Sequence, residues 1–547
     1  MKAWPHHPPG GAGEGMGREA GGILLPEQAT LENGLSPATR RNGALASRFA
    51  LVAGAAALVV VPALVLRLWG LNALGFNSDE AVYAGQAASI AGDPHLSHLF
   101  PVFRAHPLLF QMFVSVAYVF RVGDLAPRLL AVAFGLGTVA AGYAAGARIY
   151  GRRAGLITAL LLAVMPYLVV VNRQGLLDGP MTFFSVVALW LMAKYAIEQR
   201  RSALYAAGAV LGLAFLTKET ALLLVPAAYA FLALAPAVRV RVRDLAIFLA
   251  SFVVVALAYP VSLAIAGGST TGKHFLAWQL FRPPNHPWTF YLTVVPLAIG
   301  IPVVALAVAA PIVAAARRKW SWRESLLVTW TVVPLFFFQL WPVKGFQYLL
   351  PAAAPVAVLA AGVLAGSGRS EHLGIGRNKR GALIRTAVAA AVVAWLGVTS
   401  ALSINSANSS SFLAGTGGVP GGRQAGTWIS SHTPTGAVIL SIGPSMANIL
   451  QFYAQREVLG LSVSPNPLHR NPAYTPVVNP DLLLRSGQVQ YLVWDSYSAS
   501  RTSFFSRRLM TYVRRYHGSA VHVESVMVST PRGPVARPII VIYEVRP

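Results

Sequence analysis

Eleven runs of mostly apolar residues punctuate the chain between residues 49 and 403, at 49–69, 128–147, 154–172, 180–196, 203–217, 220–237, 245–266, 290–315, 325–342, 347–366 and 383–403. A helix needs about 20 such residues to cross the hydrocarbon core, because no water there can satisfy an open backbone. Runs of this kind limit the fold to a bundle of membrane helices. Composition agrees: 55% of the residues are hydrophobic and 12% charged, about half the charged fraction of a soluble domain. With no cysteine in 547 residues, disulfide frameworks, zinc–thiolate and iron–sulfur sites and cysteine nucleophiles are all excluded. The net charge of +25 does not indicate nucleic acid, since the arginines are scattered among loops without a basic–aromatic face. In a membrane protein such residues report topology.

Residues 1–47 are rich in Gly, Pro, Ala and Glu, lack an apolar period and read as a disordered cytoplasmic tail. No basic segment with a short apolar core and cleavage site precedes the first run, which is therefore read as a permanent signal-anchor helix from about Arg48. A further apolar piece, His106–Phe120, is short for a span and suits an interfacial helix. If it does not cross, the short cytoplasmic segments carry eighteen Lys and Arg against eight outside, the bias expected of the positive-inside rule. If it crosses, the bias reverses for every later loop. The reading is thus eleven spans (residues 48–404) plus one helix in the outer interface.

After a Ser/Gly-rich linker at 405–426, the residues from 427 to 547 change character. Short β-rich runs (Val438–Ile442, Gln490–Trp494, Pro538–Val545) alternate with helix-like pieces (Met446–Arg456, Ser503–Arg515), predicting an extracytoplasmic α/β domain. Its basic balance suits an anionic lipid or glycan surface as well as a merely solvated face.

The rare polar residues gather on one side of this topology. Asp79 and Glu80 follow the first span, Arg104 and His106 open the interfacial helix, and Asp178 sits in a short outer loop. Lys218 and Glu219 occupy a tight outer turn; Arg282, His286 and Lys344 lie in later outer loops, with Gln347 and Tyr348 opening the next span. Each also has a structural reading. Ser78 with Asp79 and Glu80 forms a plausible helix start, as does Asp178-Gly179-Pro180. Lys218 and Glu219 form a local ion pair in such a reading, His106 an interfacial hydrogen-bonder, and Arg282 and His286 parts of a Pro-rich loop. Together they describe an extracytoplasmic site with acids to act as base and cations to neutralise a phosphate, fit for an enzyme or transporter of an anionic lipid.

At these residues the chain resembles the GT-C class of glycosyltransferases that use polyprenyl-phosphate sugars, and within it glycosyltransferase family 39, the branch of the protein O-mannosyltransferases and aminoarabinose transferases. The resemblance runs from about residue 50 to 365 and is carried, in order, by Asp79-Glu80, His106-Pro107-Leu108-Leu109, Arg148-Ile149-Tyr150-Gly151-Arg152-Arg153, Asn172-Arg173-Gln174-Gly175-Leu176-Leu177-Asp178, Leu216-Thr217-Lys218-Glu219 and Lys344-Gly345-Phe346-Gln347-Tyr348-Leu349-Leu350-Pro351. The chain departs from the family at Leu108, where a second proline is common, and at Glu219, where glycine is.

The resemblance implies transfer of a sugar such as mannose or arabinose from a polyprenyl-phosphate donor to a hydroxyl of a protein, glycan or lipid acceptor outside the cytoplasm, with inversion. Asp79 would be the base, and Glu80 and Asp178 would orient the acceptor or sugar or, with Asp79, hold a divalent metal if one is used. Lys344, with Arg104 or Lys218, would stabilise the phosphate, and His106, Glu219, Arg282, His286, Gln347 and Tyr348 would line the substrate site. No cofactor is required, although oxygen ligands would permit Mg or Mn. The Ala/Arg/Gly/Val-heavy composition points to a high-GC bacterium, and so to the plasma membrane. Two rivals remain at this stage. A flippase of lipid-linked sugar would place its ionisable groups near the midplane on paired repeats, and an inactive relative would serve as a binding module.

Overall fold

The computed structural model describes residues 37–103, 106–366, 379–404 and 417–546. Arg104, most of the expected tail (1–36) and the linker residues 405–416 lie outside the described residues. All eleven apolar runs are helical. By length and apolarity alone, five helices suffice to cross a membrane, or six if one sharply bent pair counts as a span.

The first helix, α1 (Pro37–Leu68), begins inside the segment read as an unstructured tail. Contacts divide the chain into a unit up to Gly54, whose described part is the start of α1, and a second unit, Ala55–Pro547, which holds everything below. Two short helices follow, α2 (Ser78–Ile90) and α3 (Leu109–Tyr118). The 10 residues of α3 rise only about 15 Å, half the hydrocarbon thickness. It buries Phe110, Val114 and Tyr118 and exposes Met112, Phe113 and Val116, so both of its faces are apolar. That pattern fits the boundary between protein and lipid.

Next come α4 (Leu125–Tyr150), α5 (Arg152–Val164), α6 (Pro166–Val171), α7 (Asp178–Glu198), α8 (Arg201–Thr217), α9 (Leu224–Leu234), α10 (Val242–Ala256), α11 (Ala258–Ile265) and α12 (Ser269–Leu280). The expected span 290–315 is two helices, α13 (Phe290–Ile299) and α14 (Ile301–Ala316), bent by 102°. The cause is local. Gly300 takes φ 105°, a conformation open to glycine, and Pro302, two residues on, cannot donate to a ladder continued from α13. The bundle closes with α15 (Trp322–Leu340), α16 (Ala353–Ala365) and α17 (Lys379–Ser403). Exposed Val254, Ile265, Val308, Ile312, Leu383 and Val398 give it the apolar exterior of a protein solvated by lipid.

The C-terminal part opens with α18 (Gly422–His432), which begins inside the expected linker, and forms a mixed sheet. It runs β1 (Val438–Ser441), α19 (Pro444–Ala454), β2 (Glu457–Gly460), α20 (Pro480–Arg485), β3 (Val489–Asp495), α21 (Ser496–Arg501), α22 (Ser503–Arg515), β4 (Ser519–Thr530) and β5 (Gly533–Glu544), with strand order β2-β1-β3-β5-β4. β1 pairs in parallel with β2 and β3; β5 is antiparallel to β3 and β4. β2 and β4 were not legible in the sequence. β2 is only four residues long, and β4 pairs along its whole length while leaving most of its side chains exposed or half-exposed.

This sheet region is fastened to the loop between α1 and α2. Gly75 bridges Val419, and Phe76 N–H donates to the Tyr453 hydroxyl (2.8 Å), which donates to Asp124 (2.6 Å). Arg423 reaches Asp124 (2.6 Å) and the carbonyls of Asn72 and Leu74. The Phe76 ring packs on Phe452 at 5.1 Å. Asp79 therefore starts a helix whose approach is held by the C-terminal part.

Candidate active site

α2 is capped by Asn77, one residue before the expected Ser78. The Asn77 side chain accepts from the N–H groups of Asp79 and Glu80, and Glu80 accepts from Asn77 N–H in return. This reciprocal cap fixes the first turn and separates two adjacent carboxylates. Glu80 is buried, and each of its oxygens takes two donors: Arg128 Nε (2.9 Å) and Gly175 N–H (2.9 Å) on one, Arg128 Nη2 (3.0 Å) and Asn77 N–H (3.0 Å) on the other. Arg128 also ties down the carbonyls of Leu71, Leu74 and Gly75. The role expected for Glu80 as an orienting acid or metal ligand is thus replaced by a positioning one. Its lone pairs are used in a buried, matched ion pair.

Asp79 is half-buried, and among the described residues no group hydrogen-bonds its carboxylate. Burial raises it above the usual carboxylate range, while Lys218, His106 and Arg282 pull it part of the way back. Two engaged carboxylates flank it. Lys218 Nζ donates to both oxygens of Asp178 (2.8 and 2.9 Å) and lies 4.9 Å from the centre of the Tyr348 ring. His106 Nδ1 meets Glu219 at 2.8 Å. The reading of Lys218 and Glu219 as a local pair is corrected here. Lys218 is extended (φ −156°, ψ 129°), and successive side chains of extended backbone point to opposite sides. Each therefore reaches a different partner.

Asp178 does start a helix, as its Gly-Pro context suggested, but makes no cap hydrogen bond; its carboxylate is turned to Lys218. Asp79, Glu80 and Asp178 do not converge as metal ligands, and among the described residues no group of three or more His, Asp or Glu side chains is arranged to hold an ion. Those three residues do not fit a metal as a set, because Glu80 already accepts four hydrogen bonds and Asp178 is turned to the Lys218 ammonium.

The later loops divide. The Arg282 guanidinium stacks over Trp278 (4.4 Å) and donates to Gln279 (3.1 Å), and among the described residues no carboxylate pairs with it. Its positive charge acts on Asp79. Lys344 was expected to stabilise the phosphate, but its ammonium donates to the carbonyls of Phe338, Gln339 and Trp341, satisfying the end of α15. His286 lies flat on Phe290 at 4.2 Å, and burial, with Arg501 and Lys344 nearby, lowers it below the usual histidine value. Gln347 is buried with its Oε1 unpartnered, and Tyr348 packs on Phe338 and faces Lys218.

Sequence reasoning missed Tyr83, which lies one helical turn after Asp79 and edge-on to His106 (6.0 Å). The i, i+4 spacing would have found it. It also missed Phe275, the opposite edge contact of His106 (5.4 Å), for which no sequence signal exists.

Residues 105–263 match the family described as dolichyl-phosphate-mannose-protein mannosyltransferase, covering the segments at His106, Arg148, Asp178 and Lys218 but neither Asp79 nor Lys344. ArnT from Cupriavidus metallidurans superposes with a TM-score of 0.64 at 17% identity, over 90% of this chain and 98% of that one. The chain has the GT-C fold. An oligosaccharyltransferase from Archaeoglobus fulgidus shares that fold at a TM-score of 0.55 and 15% identity, over 88% of this chain and 74% of the other. In sequence, an undecaprenyl phosphate-alpha-4-amino-4-deoxy-L-arabinose arabinosyl transferase from Pectobacterium carotovorum is 30% identical over 230 residues. That alignment spans 39% of this chain and 41% of the relative, so the shared GT-C sequence is about two fifths of the relative's length. The resemblance read from the motifs thus holds at the level of fold and family segment.

Proposed function

We propose that the protein is a membrane glycosyltransferase moving a sugar from a polyprenyl-phosphate donor to an acceptor hydroxyl on the extracytoplasmic side of a bacterial plasma membrane, with inversion. The observation that carries this reading is the Asp79 carboxylate, without a hydrogen-bond partner among the described residues, between two carboxylates already engaged by Lys218 and His106. A base must be deprotonated yet basic, and burial that raises its pKa toward the working pH serves that end. In the reaction, the acceptor oxygen attacks the anomeric carbon, its proton passes to Asp79, and the carbon–phosphate oxygen bond breaks. The polyprenyl phosphate leaves as an anion that needs no proton. Arg282, and Arg104 from outside the described residues, would hold that phosphate as its charge grows. Likeness to ArnT, one of whose structures holds undecaprenyl phosphate, supports the donor class, and the relative from Pectobacterium supports a sugar of the aminoarabinose type. The eleven-span topology and the outer placement of the site rest on the eighteen-to-eight charge bias.

Membranes carrying the wild type or Asp79→Asn, given radiolabelled undecaprenyl-phosphate aminoarabinose or mannose, test the reading. Wild type should release carrier-free labelled product, and the variant should lose roughly 10²–10⁴-fold of the rate while still binding donor. Donor moved across the bilayer by both proteins, with no product from either, would mark a flippase instead.

A further inference from the structure

A groove of about 500 Å3 lies between the loop after α2 and the free edge of the C-terminal sheet, within the size range of small-molecule sites, ~300–1,000 Å3. One wall is the loop at His98; the other is α19 and the edge strand β2. Its polar lining is nearly all neutral: Asn448, Gln451, Gln455 and Tyr474, with His98 and Glu457 at the exposed rim. Arg456 also lines it, but that guanidinium is spent on the carbonyls of Ser430, Thr433, Pro434, Ala454 and Gln455. Among the described residues that line it, none offers a free guanidinium or ammonium to an anion.

Position gives this groove its meaning. Asn448 Nδ2 donates to Ser78 Oγ (3.0 Å) and to the Tyr474 hydroxyl (3.0 Å). One groove residue therefore hydrogen-bonds the residue that precedes Asp79 in α2. Gln451 joins the two walls by donating to Leu99 O (2.8 Å) and accepting from Val458 N–H (3.4 Å). That second bond occupies a donor on the β2 edge and blunts the edge against an added peptide strand.

We propose that this groove binds a neutral carbohydrate segment of the acceptor and delivers its hydroxyl to Asp79. A side-chain amide donates and accepts at once, as adjacent sugar hydroxyls do, and Gln455 is the groove amide that makes no hydrogen bond among the described residues, whereas those of Asn448 and Gln451 hold the walls together. An aromatic ring with a polar tip covers the apolar face of a pyranose. The lack of free cations disfavours a phosphorylated acceptor segment. This rests on the transferase reading above and names the acceptor class for the same site.

Gln455 provides a clean test. It sits in the groove in the left-handed region (φ 53°), where glycine is the residue of least strain. Gln455→Gly therefore removes the amide without weakening the fold. The full-length protein in lipid nanodiscs would be titrated with neutral manno-, arabino- and galacto-tetrasaccharides, with a phosphorylated oligosaccharide and an unstructured peptide as competitors. The expected result is saturable binding of a neutral oligosaccharide, weakened about tenfold by Gln455→Gly, the worth of one or two hydrogen bonds, and also by His98→Ala on the facing wall. Asp79→Asn should bind the oligosaccharide as wild type does. The proposal is overturned if no neutral oligosaccharide binds, if both groove variants bind like wild type, or if the peptide or the phosphorylated ligand displaces it at lower concentration. Oligosaccharide binding without donor turnover by wild type would sink the transferase reading and leave the groove standing. Turnover with unchanged acceptor KM in both groove variants would do the reverse.

Discussion

Asp79 and Glu80 are chemically near-identical neighbours, and their environments assign them different work. Glu80 meets four donors, whereas Asp79 meets none among the described residues. The raised pKa of Asp79 has two consequences. In the proposed role of base it must lose its proton, so the acid limb of the wild-type pH–rate profile should lie above the usual carboxylate range of about 4. For folding the sign is the opposite of a salt bridge. A carboxyl that binds its proton more tightly when folded adds stability below its unfolded pKa and loses it as pH rises through the folded value. Asp79→Asn should therefore melt higher than wild type at pH 7, with the gap closing below about pH 4. Thermal melts across that range check it, and a variant less stable at pH 7 would contradict the assignment. Lys218 and Asp178 follow the usual rule for a buried pair. Lys218→Met alone should cost about 3–5 kcal/mol by stranding a buried carboxylate, and adding Asp178→Asn should recover most of that. A double-mutant cycle on melting temperature measures the coupling.

Among the elements, the departures from expectation share a cause, which is backbone chemistry at single positions. The sequence showed one apolar run at 290–315, and hydropathy is blind to a bend because both arms are apolar. Gly300 decides it. A Cβ there would meet Leu396 Cδ2 at 2.6 Å on top of the positive φ. Gly300→Ala should lower stability by roughly 1–3 kcal/mol through overpacking and strain, seen as a lower melting temperature of the solubilised protein. A straightened α13–α14 with unchanged stability would refute it. The same reasoning covers the Lys218–Glu219 turn, where one extended residue sends two charges to different partners. It also covers Lys344, whose charge is taken up by carbonyls at the end of α15.

For the whole molecule, the sheet region and the bundle form one unit from Ala55 onward, because Arg423, Tyr453 and Asn448 hold the loop that sets Asp79. The proposed sidedness can be read directly, since the chain has no cysteine and any single cysteine is a unique probe. Arg532→Cys, in the exposed turn between β4 and β5, should react with an impermeant maleimide on intact cells; Arg317→Cys, exposed after α14, should react only after permeabilisation. The reverse pattern would invert the topology. Much of this was legible from the sequence. Apolar runs declare membrane helices because the bilayer admits little else, and the polar residues of the site stood out because charge is rare in such a chain. Asp79, His106, Asp178, Lys218 and Glu219 were all singled out that way as candidates, and the fold brings them together. What no pattern could show was which charges neutralise one another. Pairing depends on side-chain direction and distance between segments far apart in the chain, as with His106 and Glu219 or Glu80 and Arg128. The sequence by itself determined that a polar site exists among membrane helices. Only the tertiary structure decided which carboxylate is left unpaired, because a buried charge is silenced by whichever donor the fold brings within hydrogen-bonding reach.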